Sequence, residues 1–289
     1  MIAFFGMGLL GSNFVRALRR RGETVHVWNR SADKARALEA DGAKAFDDPA
    51  EAARGAARVH LTLSADAAVD DVLERARAGF SKGVVIVDHT TTSPTETKAR
   101  AARWAERGVA FQHAPVFMGP PNALDATGVM LASGDRARYD ALAPELSKMT
   151  GKLVWLGPEP ERAAVFKLIG NSFLMALTGG IGDMLALAEA GGVEPKDAVA
   201  IFDFFNPGAS IGARAKRVLE IDRASWELAM ARKDARLMMD EAERAGVALT
   251  LVPAVAARMD RFIAQGRGGD DWTIIAHPEA KDGVESNRA

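Results

Sequence analysis

Within its first eleven residues the chain passes from an apolar run, Ile2–Phe5, into Gly6-Met7-Gly8-Leu9-Leu10-Gly11 and then into a helical pattern. Three glycines at this spacing mean little alone, but between a strand and a helix they form a turn that receives a pyrophosphate. Gly6 permits the tight turn, Gly8 lets the backbone approach the phosphates, and Gly11 lets helix and strand pack closely. The helix N-terminus then faces the negative charge. All six residues are therefore assigned to a bound dinucleotide.

The rest of the first half repeats this alternation. Strands are predicted at Ile2–Phe5, 24–28, Arg58–Leu61 and 84–87, with helical patterns at 14–21, 33–40 and 67–77 between them. Such a series builds βαβ units and a mainly parallel sheet. Runs at 109–112, Val129–Ala132 and 153–156 would extend that sheet, the last ending at the turn signal Gly157-Pro158. After Pro160 only helical periodicity remains, at Arg162–Ala190, 195–205, 226–245 and 252–265. Gly191-Gly192 can end the first of these helices, and Pro195 suits the first turn of the next. The expected architecture is α/β: an N-terminal Rossmann domain with a doubly wound, mainly parallel sheet in residues 1–160, then an all-α domain in 161–289. The polar tail, 277–289, is expected to be loose.

Composition narrows the function classes. Lysine and arginine total 37 against 38 acidic residues, so the net charge of −1 supplies no overall field for nucleic acid or anionic membranes. The arginines between Arg16 and Arg21 have no interleaved aromatics and read as a solvated helix end. The absence of cysteine excludes disulfides, thiolate metal sites and cysteine nucleophiles. The histidines show no metal spacing, so no metal is expected. No basic leader precedes Ile2, and the run 167–183 is shorter than a spanning helix needs. A cytoplasmic enzyme without a membrane segment is expected, with 167–183 as part of a buried helix.

The cofactor is expected to be NADP(H). An NAD site would end its second strand in Asp or Glu to bind the ribose hydroxyls. Here the chain reads Asn29-Arg30-Ser31. A carboxylate would repel a 2′-phosphate, whereas Arg30 can fork onto it and Ser31 can donate a hydroxyl. Leu63 and Ser64, after the Arg58–Leu61 run, are assigned to the cofactor as well.

Three further segments follow in order: Asp88-His89-Thr90-Thr91-Thr92-Ser93-Pro94, Ala114-Pro115-Val116-Phe117-Met118-Gly119 and Lys167-Leu168-Ile169-Gly170-Asn171. With the glycine turn they resemble the ordered motifs of the β-hydroxyacid dehydrogenase family, over nearly the whole chain. The resemblance implies that Thr91 lies beside the nicotinamide ribose and the substrate. It implies that Lys167 is the catalytic lysine and that Asn171 helps to hold the substrate. It implies that Lys233-Asp234 is the pair that closes over the cofactor, with Asp234 reaching the substrate, and that Trp226 stands where relatives usually carry Phe. The segment Phe117-Met118-Gly119 would line the substrate pocket.

The chain also departs from that pattern. Where relatives usually place a serine that hydrogen-bonds a substrate carboxylate, this chain has Phe117, and the stretch from Pro120 to Thr127 replaces a glycine-rich continuation. An apolar ring in place of a hydroxyl argues for a less polar or larger substrate.

The residues support this chemistry independently. Lys167 and Asn171, at i and i+4 on an apolar helix, share one face. Burial lowers a lysine's pKa toward neutrality, which suits a group that protonates a forming alkoxide and takes the proton back in reverse. A lysine that snorkels to solvent and an asparagine that caps a local turn are an equal reading of these two residues alone. The expected function is hydride transfer between NADP(H) and a small hydroxy acid, semialdehyde or related carbonyl, with Lys167 as general acid/base. A non-catalytic NADP-binding regulator and an imine-reducing relative are the alternatives; Lys167 argues against both, and Phe117 keeps the second in play. The apolar helix 162–190 exceeds what one small helical domain can cover, so a homodimer or homotetramer is expected.

Overall fold

The computed structural model describes residues 1–219 and 224–277, so the tail expected to be loose lies outside the described residues beyond His277. The first half runs β1 (Ile2–Phe5), α1 (Leu9–Arg20), β2 (Val25–Trp28), α2 (Ala32–Arg36), β3 (Lys44–Phe46), α3 (Pro49–Ala53), β4 (Arg58–Leu61), α4 (Asp66–Ala76), β5 (Val85–Asp88), α5 (Pro94–Glu106) and β6 (Ala110–His113). It continues through β7 (Val116–Phe117), α6 (Pro120–Asp125), β8 (Val129–Ala132), α7 (Arg136–Leu146) and β9 (Lys152–Trp155). Then come α8 (Arg162–Ala190), α9 (Pro195–Val199), α10 (Ile211–Leu219), α11 (Leu228–Ala245) and α12 (Val252–Ala264). After β9 no further strand occurs among the described residues, only an isolated bridge between Glu227 and Asp271.

Six parallel strands lie in the order β3-β2-β1-β4-β5-β6, the doubly wound Rossmann arrangement. Alternate residues of β1 explain why both faces are covered. Ile2 and Phe4 pack with Phe14, Val15 and Leu18 of α1. Ala3 and Phe5 face the other way, toward Val69, Val72 and Leu73 of α4 and Trp104 of α5. Burial on both sides is why β1 is a continuous apolar run. Strand order reverses at β1, which pairs with both β2 and β4. A ligand crevice belongs at the carboxyl ends of the strands at such a point.

The runs Val129–Ala132 and 153–156 do not extend this sheet. They form β8 and β9 of a separate three-stranded sheet, in which β7 is antiparallel to β8 and β8 parallel to β9. Ala114-Pro115 redirects the chain after β6: Pro115 has no N–H to continue the ladder, and its carbonyl accepts from Leu131. The two unforeseen strands, β3 and β7, are three and two residues long, too short to show alternation. The helix expected over 195–205 is α9 followed by a tighter turn, Ala200–Asp203.

The chain divides into two compact units, Met1–Asn171 and Ser172–Ala289, with the division inside α8. In the second unit, Ala231 and Ala235 of α11 allow close approach to Ala256, Met259 and Phe262 of α12. Buried Asp183 of α8 accepts the backbone N–H groups of Thr250, Leu251 and Val252 at 2.6–2.8 Å, which fixes the start of α12. Burial alone would raise its pKa, and these three donors bring it below the ordinary carboxylate value.

One expectation is corrected by α8. Its apolar character runs through all 29 residues, so by length and composition it is long enough to cross a membrane, and only 6% of its most apolar window is buried. The run 167–183 understated it because Lys167 and Asp183 bound that run, whereas residues 163–166 and 184–188 continue the apolar helix on either side.

Candidate active site

The glycine turn behaves as its spacing predicts. Gly6 has φ +95°, and a side chain there would run into the carbonyl of Thr62. A side chain on Gly11 would overlap the carbonyl of Gly6 and the Thr62 hydroxyl, which itself donates to that carbonyl at 2.8 Å. Gly8 instead faces open space. Helix α1 starts immediately after it with no side-chain cap and no acidic residue in its first turn. A ligand phosphate therefore meets free N–H groups and a favourable dipole, and the cradle fits the phosphates of a dinucleotide.

Two clefts of about 390 and 400 Å³ share Gly8, Thr62, Leu63 and Ser64, forming one groove across the ends of β1, β2, β4 and β5. The first takes in Gly6, Asn29, Arg30 and Ser31, and the second Leu9, Leu10, Gly11 and Thr91. Met7 is the exception. Its side chain is buried in the core, and only its N–H serves the turn, donating to Asn29 Oδ1 at 2.9 Å. Asn29 Nδ2 in turn donates to the carbonyl of Ser31 at 2.9 Å, so this side chain joins the turn to the loop after β2.

Sequence reasoning missed Lys34 and Arg75, which line the same cleft as Arg30. Lys34 lies within reach of a motif search, one helical turn beyond Arg30. Arg75 gives no sequence signal, because it comes from α4, where its guanidinium lies 5.1 Å from the Trp28 ring and 3.7 Å from Asp71.

The loop carrying Thr91 is held from several sides. Thr90 N–H donates to Asp88 Oδ1 at 2.9 Å, and Thr90 Oγ1 accepts from Leu63 N–H at 3.0 Å. Ser93 N–H donates to Asp66, whose other oxygen takes the guanidinium of buried Arg100 at 2.9 Å. Thr91 is left exposed in the groove while Thr90 and Thr92 are buried. Below it, His89 Nδ1–H donates to the carbonyl of Ala114 at 2.7 Å, which leaves Nε2 to accept from His60 Nδ1–H at 3.0 Å. Both rings are buried and neutral: burial pushes the pKa of His89 down to about 4 and that of His60 well below 6.5.

Lys167, on α8, is half-buried, and burial lowers its pKa. Its Nζ lies 4.2 Å from the centroid of the Phe117 ring. Asn171 follows one turn later, at the end of the first unit. Gly119 N–H donates to Asn122 Oδ1 at 2.9 Å, capping α6, so a short proline-initiated helix occupies the stretch after Phe117-Met118-Gly119.

The remaining candidates belong to the second unit. Trp226 and Asp234 line an apolar groove of about 420 Å³ with Met184, Met238, Val255 and Trp272. Lys233 is exposed and ion-paired with Asp234 at 2.8 Å.

Residues 1–157 match the model of the NAD-binding domain of 6-phosphogluconate dehydrogenase. The chain is 27% identical over 280 residues to 3-sulfolactaldehyde reductase of Escherichia coli (strain K12), covering 95% of this chain and 94% of that one. It is 27% identical over 296 residues to the chloroplastic glyoxylate/succinic semialdehyde reductase 2 of Arabidopsis thaliana, covering 100% and 81%. Among solved structures, an imine reductase of Streptomyces aurantiacus superposes with a TM-score of 0.86 at 27% identity, covering 95% and 98%.

Proposed function

The chain belongs to the β-hydroxyacid dehydrogenase family and is an oxidoreductase with a nicotinamide cofactor, and on that premise we propose that it is an NADP(H)-dependent reductase of semialdehydes or related carbonyls with Lys167 as its general acid/base. The observation that carries the reading is the groove at the strand-order reversal, where a phosphate turn adjoins a wall of Arg30, Ser31, Lys34 and Arg75. Asp71 lines the same cleft and is paired with Arg75 at 3.7 Å, so Arg30, Lys34 and the Ser31 hydroxyl are the groups that match a 2′-phosphate better than a pair of ribose hydroxyls.

When bound, NADPH supplies the hydride. The protein's part is to hold the cofactor at the glycine turn, order the Thr91 loop beside it, and deliver a proton to the substrate oxygen. Lys167 carries that proton. Its lowered pKa brings donation and recovery of the proton closer to neutral pH. Asn171, one turn along α8, orients the substrate oxygen, and Phe117, Met118 and Gly119 shape the pocket.

Imine reduction is the second reading, favoured by the likeness to the Streptomyces aurantiacus imine reductase and by the ring at position 117. One experiment separates the two: NADPH and NADH oxidation with small semialdehydes, bulkier aldehydes, keto acids and cyclic imines. With a carbonyl substrate, Lys167→Ala is expected to lower turnover by about 10²–10⁴-fold while NADPH affinity stays nearly unchanged. Near-normal turnover in that variant overturns the role of Lys167. Activity on imines alone favours the second reading, and silence with intact NADPH binding favours a non-catalytic regulator.

A further inference from the structure

Phe117, Lys167 and Gly170 form a contact that general acid catalysis does not by itself require. The Phe117 ring, at the end of β7, has its centroid 4.2 Å from Lys167 Nζ. Lys167 and Gly170 are at i and i+3 on α8 and share a face. A methyl group built on Gly170 would overlap the same ring. The ring thus occupies a slot in the helix surface that exists only because residue 170 has no side chain. Burial is the one cause that lowers the Lys167 pKa, with no carboxylate acting on it.

We propose that Phe117 is a positioning residue for Lys167, its ring face holding the ammonium group where a carboxylate would otherwise be needed, with Gly170 as the space that admits the ring. The catalytic consequence rests on the reading of Lys167 as proton donor; the contact itself does not. An aromatic face attracts a cation through its quadrupole but takes no proton and offers no lone pair. It steadies the ammonium against burial and leaves the N–H groups available to a substrate oxygen. A carboxylate would bind those groups and hold the proton far more tightly. The same ring cannot donate a hydrogen bond, so the substrate presents apolar surface rather than a carboxylate to Phe117.

The test measures the Lys167 pKa without turnover, by competitive acetylation with acetic anhydride across pH, read by mass spectrometry of the Lys167 peptide. It is applied to the full chain and to Phe117→Leu, Phe117→Tyr and Gly170→Ala, in parallel with the pH profile of carbonyl reduction. Phe117→Leu keeps apolar bulk but loses the ring face. It is expected to lower the Lys167 pKa by about 0.5 to 1.5 pH units and to move the alkaline limb of reduction down with it. Phe117→Tyr keeps the face and should retain the native value. Gly170→Ala keeps the ring but displaces it, and should shift the pKa in the same direction as Phe117→Leu. A Lys167 pKa unmoved in Phe117→Leu, or in Gly170→Ala should the first variant fail to fold, overturns the proposal. A shifted pKa together with turnover indifferent to Lys167→Ala upholds the contact and removes the proton-donor reading instead.

Discussion

Arg30 illustrates how much one side chain can decide. It is exposed at the end of β2, where a carboxylate would select ribose hydroxyls, and it shares its cleft with Ser31, Lys34 and Arg75. If the cofactor is NADP(H), as proposed, reversing its charge places an anion against the 2′-phosphate. Arg30→Asp is expected to raise the KM for NADPH at least about tenfold while leaving or improving that for NADH, in line with the loss of one charge-assisted hydrogen bond. Steady-state kinetics with both cofactors measures this, and a native enzyme that uses NADH and NADPH equally well refutes the preference. The placement of Gly6, Gly8, Gly11 and Arg30 at one groove was legible in the sequence because it follows from residue type at fixed spacing beside a strand. That of Arg75 was not, since only the packing of α4 brings it to the same cleft.

At the scale of elements, α8 carries the argument for assembly. Phe173, Leu177 and Ile181 repeat at i, i+4 and i+8 and are 51%, 49% and 37% exposed. So long an apolar stripe needs a cover. A bilayer is a poor one, because Asp183 on the same helix is committed to three backbone donors at the start of α12, and that polar turn would have to enter the lipid with it. We propose a second copy of the chain as the cover, in a homodimer or homotetramer. Sedimentation at micromolar concentration is expected to show a dimer or larger, and Phe173→Glu with Leu177→Glu to shift it toward monomer. A monomeric native chain, or one that partitions into liposomes, would count against this. The apolar length of α8, and its excess over what one small helical domain can cover, were plain in the sequence; which of its side chains stay exposed was not, because exposure depends on what the remaining helices leave open.

For the whole molecule, the buried pair His60 and His89 ties stability to pH. In the unfolded chain an imidazole titrates near 6.5, whereas folded His89 resists protonation down to about 4, burial being the chief cause. The folded state binds fewer protons in this window, so stability is full above pH 6.5 and falls as pH drops toward 4. The gap corresponds to roughly 3 kcal/mol for His89, and His60 acts in the same direction. Urea unfolding at pH 7.5 and pH 5 is expected to differ by at least about 2 kcal/mol, His89 alone supplying that much in a window where unfolded carboxylates are mostly ionised. His89→Gln should flatten that slope; an unchanged slope would assign it to other groups. Nothing in the sequence pairs these histidines, which come together because β4 and β5 are neighbours in register.

What the sequence determined by itself is the local chemistry and its periodicity: the glycine turn, the βαβ series, the all-helical second half, and Lys167 with Asn171 on one helix face. These are short-range properties, set by backbone sterics and by the spacing of apolar residues. Only the tertiary structure decided that β8 and β9 leave the main sheet, that Lys34 and Arg75 join Arg30, that His60 meets His89, and that Phe117 lies on Lys167 over the gap at Gly170. Each depends on residues far apart in the chain, whose meeting is set by how sheets, turns and helices pack rather than by any local preference.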